Sequence, residues 1–271
     1  MLVSAMLVAE MQRAEGGRYA ACLVLLPGLW AGPTAWRSCA GYLAHRGWES
    51  RLLDLRPVPG GVETRAAAVA EYVAGLGVPT VLVAHGGGAA TALAAARRQS
   101  VQGVVLVCPL VPGSRGAREL TLGVRTALPL LLGRPVPPPR SYQEDLLLGA
   151  LPDPIRARVR AGLGPEAAAV VWETARGVGD GPVAGVATAV VSGGRDTLLP
   201  GPEAAALAAN LGADHVVLPA AGAWPLAGPG WQEVVAAVHR WIVQRLGAPL
   251  LELYPEAMAA REEEEEEGEE P

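Results

Sequence analysis

Short runs of Val and Leu alternate along the chain with longer Ala-rich segments whose apolar residues recur at helical spacing. An unbroken apolar run of four to eight residues suits a strand covered on both faces, and parallel strands require the helical crossovers that the intervening segments supply. The pattern predicts strands at Tyr19–Leu26, Ser50–Leu55, Thr80–Ala84, Gly103–Cys108, Ala187–Ser192 and Asp214–Pro219. Helices are predicted at Thr34–Arg46, Glu63–Leu76, Glu203–Leu211 and Trp231–Leu246, with one more running from the turn after Ala84 to about Arg98. Between Val111 and Val183 the alternation breaks into helical pieces joined by Pro-rich stretches, notably Arg134–Arg140, which reads as an insertion. In that insertion Leu130–Leu132 and Leu146–Leu148 are expected to face down in a lid, as its core or as a substrate wall. At the start, Glu15-Gly-Gly-Arg18 is turn chemistry for an antiparallel hairpin between Met1–Gly17 and the strand that follows.

Composition narrows this to one α/β domain, 1–250, with the insertion at about 111–183. The chain has 271 residues, of which 51% are hydrophobic, enough for one large core. No stretch approaches the roughly 20 apolar residues that a membrane-spanning helix needs. Met1–Glu10 has no basic residue at its head and carries Glu10, unlike a secretory signal. Cys22, Cys39 and Cys108 are three cysteines at wide spacing, which fits neither a disulfide framework nor a zinc site, so a cytoplasmic protein without metal or organic cofactor is expected. The net charge is −5, but Glu262–Glu267, Glu269 and Glu270 supply eight of the negatives, leaving the rest of the chain slightly basic. That acidic tail, 251–271, is expected to be disordered, either solubilising the protein or docking a basic partner. The folded part has no basic stripe interleaved with aromatics, which argues against nucleic acid as a partner.

Chemistry is carried by Val81-Leu-Val-Ala-His85-Gly86-Gly87-Gly88-Ala89, a strand that runs directly into a helix through a sharp turn. A nucleophile elbow, G-x-S-x-G, has this form, with small neighbours that let strand and helix approach. Ala84, His85, Gly86, Gly87 and Gly88 fill its five positions, which puts Gly86 where the nucleophile stands. The sequence from about Tyr19 to Leu246 resembles the α/β-hydrolase family. Leu25-Leu-Pro-Gly-Leu-Trp30 is similar to the family's His-Gly turn, with Pro27 in place of the His, and Asp54-Leu-Arg-Pro57 is similar to its Asp-x-Arg-Gly segment. Ser192-Gly-Gly-Arg-Asp196 resembles the loop of the catalytic acid, and Gly222-Ala-Trp-Pro-Leu226 resembles the Gly-His-x-Pro-Leu loop of the general base.

The resemblance implies an α/β-hydrolase fold, a mostly parallel central sheet with helices on both faces and a small helical lid insertion. It also implies that only Asp196 remains of the triad, with Gly86 and Ala223 standing where the Ser and His would be. A glycine cannot attack and an alanine cannot take a proton, so triad hydrolysis is not expected. Backbone donors survive such losses: the amides of Leu29 and Gly87 correspond to the family's oxyanion donors. With Trp30 and Trp224 flanking the cleft, the reading is a noncatalytic binder of an apolar small molecule or of a protein partner. Two alternatives stay open. One is an esterase or lactonase acting through a displaced nucleophile, with Ser114 in Pro112-Gly-Ser-Arg-Gly116, or with water activated by His85 or Asp196. The other is an interaction protein acting through its surface or tail. Cys108, without a paired base, reads as a buried structural thiol, and His215 and His239 as packing residues. Asp180 and Asp196 are too far apart in sequence to suggest a carboxylate pair.

Overall fold

The computed structural model describes residues 7–16, 18–177 and 182–251. Its strands are β1 (Val8–Gln12), β2 (Cys22–Leu26), β3 (Glu49–Asp54), β4 (Thr80–His85), β5 (Gly103–Val107), β6 (Ala187–Gly193) and β7 (Asp214–Leu218). The helices are α1 (Arg37–His45), α2 (Val62–Leu76), α3 (Gly88–Ala96), α4 (Arg115–Thr121), α5 (Val124–Leu131), α6 (Tyr142–Leu148), α7 (Asp153–Gly162), α8 (Ala168–Arg176), α9 (Gly201–Leu211) and α10 (Trp231–Leu251). The strands form one sheet in the order β1-β3-β2-β4-β5-β6-β7, parallel throughout except for β1.

This order decides where the helices lie. From β2 the chain steps outward to β3 and then back across to β4, and right-handed crossovers put the connecting helices α1 and α2 on opposite faces. Accordingly α2 packs on α3 and α1 packs on α10. The reversal also leaves a crevice at the carboxyl ends of β2 and β4, the position where open sheets of this kind bind ligands. Strands β2, β4 and β5 are buried at every position, which is why they read as unbroken apolar runs.

Four expectations are corrected. The amino-terminal strand does not form a hairpin with β2; β1 pairs antiparallel with β3, Val8 facing Asp54, because both edges of β2 are taken by β3 and β4. The helix expected at Thr34–Arg46 is a 3-10 turn at Pro33–Ala35 followed by α1 from Arg37. Leu130–Leu132 does not face down as a unit: Leu131 and Leu132 point to solvent, whereas Leu147 and Leu148 of the second triplet are buried. Helix α10 also continues five residues past Leu246, since a glycine such as Gly247 inside a helix costs only about 1 kcal/mol. Between β5 and β6 the inserted segment folds as α4 to α8. Asp180 lies outside the described residues, as does the acidic tail beyond Leu251.

Candidate functional site

The turn from β4 into α3 occurs where the glycines allow it. Gly86 has φ +52°, a left-handed conformation that side chains other than glycine's tolerate poorly, and its amide and carbonyl are tied to Val107 and Leu110. A Cβ at Gly86 would meet only the Gly28 Cα, at 3.7 Å, an ordinary contact, so a small side chain would fit there. Gly88 has no such freedom, because a Cβ there would run into the Pro27 carbonyl oxygen; its absence lets α3 approach the loop after β2. The Leu29 side chain lies over Gly87, 2.6 Å from where a Cβ would stand.

Around this turn the fold gathers loops from four strands. Leu29 and Trp30 follow β2, His85, Gly86 and Gly87 end β4, Cys108 follows β5, and Ala223 and Trp224 follow β7; together they line a cavity of about 20 Å³, room for roughly one water. Asp196, from the loop after β6, is not in that lining. It sits behind Cys108, and its Oδ1 accepts the amides of Leu198 at 2.8 Å and Leu199 at 3.1 Å. Burial raises the Asp196 carboxyl to about 6 despite those amides, and burial pushes the Cys108 thiol well above its ordinary range. Cys108 itself adopts φ +41° and donates to the Gly222 carbonyl at 3.3 Å.

His85 is fully enclosed. Its Nε2 donates to the Ala223 carbonyl at 2.9 Å, its ring meets Trp224 edge to face at 5.0 Å between centroids, and Nδ1 has no partner. Donation from Nε2 leaves Nδ1 unprotonated and packed against Gly28. Desolvation lowers the imidazole to about 4, so at neutral pH it is an uncharged spacer holding the loop after β7. Ser114 is elsewhere: its Oγ accepts from the Ala117 amide at 3.0 Å and caps α4. His215 pairs with Ser192 at 2.8 Å, and His239 accepts from the Trp48 indole.

The shifts of His85 and Asp196 oppose each other in pH dependence. His85 binds fewer protons in the folded than in the unfolded state, so its contribution to stability is present above about pH 6.5 and is lost as pH falls towards 4. Asp196 binds more when folded, so its contribution is present below about pH 4 and is lost as pH rises through 6. Across pH 4–6 the two slopes run against each other. Asp196→Asn keeps the acceptor for the two amides and removes one slope, so its stability is expected to fall by about 3 kcal/mol more steeply than the parent's between pH 6.5 and 4. Urea midpoints at a series of pH values check this; parallel curves for parent and variant would refute it.

Two buried charged side chains that hold the loop after β2 were not singled out from the sequence. Arg65 of α2 and Glu166, before α8, form an ion pair at 2.5 Å with side chains 3% and 1% exposed. Glu166 also accepts the amides of Trp30 at 3.1 Å and Ala167 at 2.8 Å. Trp30 adopts φ +62°, costly for a bulky residue, and is held there by Glu166, by the Gly164 amide on its carbonyl and by its indole donating to Val136. The signal in the sequence was a lone Arg on the Ala-rich face of α2, where a charge requires a buried partner.

Next to the small cavity, and sharing Trp224 with it, lies a cleft of about 550 Å³ between the start of α1, helix α7 and the loop leading into α10. Among the described residues no group of His, Cys, Asp and Glu could hold a metal ion, and no helix is long and apolar enough to cross a membrane.

Residues 23–238 match the model of the Alpha/beta hydrolase family. Among solved structures, the chain is similar to a thermophilic esterase from Thermogutta terrifontis (21% identity, 88% of this chain and 93% of that one, TM-score 0.67). It is likewise similar to a monoacylglycerol lipase from Paleococcus ferrophilus (18% identity, 88% and 98%, TM-score 0.67) and to an enol-lactonase from Burkholderia xenovorans (18%, 88% and 96%, TM-score 0.64). No curated protein sequence matches the chain.

Proposed function

The chain belongs to the α/β hydrolase family, and from that premise we propose that it is a noncatalytic member which binds an apolar small molecule beside the former triad. The observation that carries the reading is the pairing of Gly86, at φ +52° with room for a small side chain, with Ala223, whose carbonyl is engaged by a neutral, buried His85. On this reading Gly86 takes the nucleophile position, Ala223 the base position, and Asp196 is the remaining acid. No hydroxyl, thiolate or imidazole base is then placed to attack an ester at the turn. Ser114 is spent as a helix cap and the Cys108 thiol stays protonated. Water activation is also unsupported, since Asp196 is buried with its Oδ1 taken by two backbone amides.

The ligand would occupy the cleft beside Trp224, where Ile155, Val159, Leu163, Leu226 and Trp231 give an apolar wall, Thr34, Arg37, Ser38 and Arg158 add polar groups to the lining, and α7 acts as a lid. Its volume lies within the range of small-molecule sites, whereas the cavity over Gly86 does not. The amides of Leu29 and Gly87 remain as donors for a carbonyl that reaches past Trp224. Hydrolysis of p-nitrophenyl esters over a range of acyl lengths tests the reading. The expected result is no turnover beyond the uncatalysed rate; turnover that Ser114→Ala, His85→Ala or Asp196→Asn abolishes would replace it with an active esterase.

A further inference from the structure

Helix α5 turns its apolar side outward. Val124, Leu128, Leu131 and Leu132 are 96, 63, 84 and 54% exposed, and at 100° per residue they fall on one face, with Leu122 just ahead of them. The opposite side is anchored by buried Thr126, whose hydroxyl closes the first turn on Gly123. Such a face is contrary to the usual arrangement, in which a surface helix hides its leucines and shows its charges. Single exposed leucines need no explanation, but a contiguous set marks a place where something docks.

The charges around the face identify the occupant. Arg125 borders the face, about 75° from its middle at 100° per residue, Arg134 follows the helix just past the left-handed Gly133, and Arg140 follows the Pro-rich stretch; all three are exposed, and among the described residues none has a carboxylate partner. A second copy of this chain would set these arginines against their own counterparts, a like-charge contact that disfavours self-pairing. An apolar stripe bordered by unpaired arginines is the form of a helix that lies in a lipid interface, where leucines enter the acyl region and guanidinium groups meet anionic headgroups. We propose that α5 is a docking surface for an anionic phospholipid membrane, on which the protein sits peripherally through its inserted segment.

The test is flotation of the full chain with vesicles of equal parts phosphatidylcholine and phosphatidylglycerol, against vesicles of phosphatidylcholine alone. The expected result is flotation with the anionic vesicles that salt weakens and that pure phosphatidylcholine does not support. Arg125→Glu with Arg134→Glu is expected to lower the partition coefficient about thirtyfold or more. Leu131→Glu is expected to lower it at least about tenfold, with an unchanged melting curve because the side chain is already in solvent. Flotation that is absent, or that survives all three changes, overturns the proposal. So does a dimer in sedimentation velocity that Leu131→Glu dissolves, or binding confined to an acidic protein, since either would assign the face to a different occupant.

Discussion

Ester turnover is expected to appear when Gly86→Ser and Ala223→His are combined, about 10²–10⁴-fold above the unaltered protein, and not with either change alone. A serine without a base is a poor nucleophile at neutral pH, and an imidazole without a serine has no proton to take, so the two act as a unit. The backbone is ready for the serine: the Gly86 turn already has the conformation in which an elbow places its side chain above the sheet, and only the Gly28 Cα approaches a Cβ there. Strain at φ +52° costs on the order of 1–3 kcal/mol for a serine. The histidine is harder to place. The cavity holds roughly one water, less than an imidazole, so Trp224 or Leu198 must yield, and the ring must reach an Asp196 carboxylate already held by the amides of Leu198 and Leu199. Rates are therefore compared at equal folded concentration. A folded double variant as inert as the parent would mean that Gly86 and Ala223 are not the positions proposed for them.

Glu166→Ala is expected to destabilise the protein by about 3–5 kcal/mol, the largest effect foreseen for a single substitution here. It leaves the Arg65 guanidinium as a buried cation without its partner and removes the acceptor for the Trp30 and Ala167 amides. Trp30 then loses one of the bonds that keep it at positive φ, and the loop carrying Leu29 loosens with it. A melting temperature lower by about 10 °C follows for a domain of this size. Adding Arg65→Met should return part of the loss, because the unpaired charge is gone while the two amides still lack an acceptor. If Glu166→Ala melts with the parent, the pair does not hold the loop, and the site's geometry depends on something else.

The identity of the structural elements was legible because it is written locally. The apolar runs of β2, β4 and β5 are covered on both faces, and the glycines after His85 allow a sharp turn between strand and helix, with Gly86 at φ +52°. The alternation of strands and helices therefore points to a mostly parallel sheet, while the strand order that leaves a crevice at the ends of β2 and β4 is a property of the fold. Pairing, burial and charge were decided only in three dimensions. The amino-terminal strand looked like half of a hairpin, yet β2 was already paired on both edges and β3 was not. Arg65 and Glu166 are 101 residues apart, a separation across which no periodicity relates them. His85 is an ordinary titratable residue in sequence; the lowered basicity comes from its enclosure under Trp224 and the loop after β7. Leu131 carries the same apolar signal as Leu148, and only the packing of the inserted helices puts one in solvent and the other in the core. Hydrophobic periodicity states that a helix has two faces, while the neighbours that cover one of them come from distant parts of the chain.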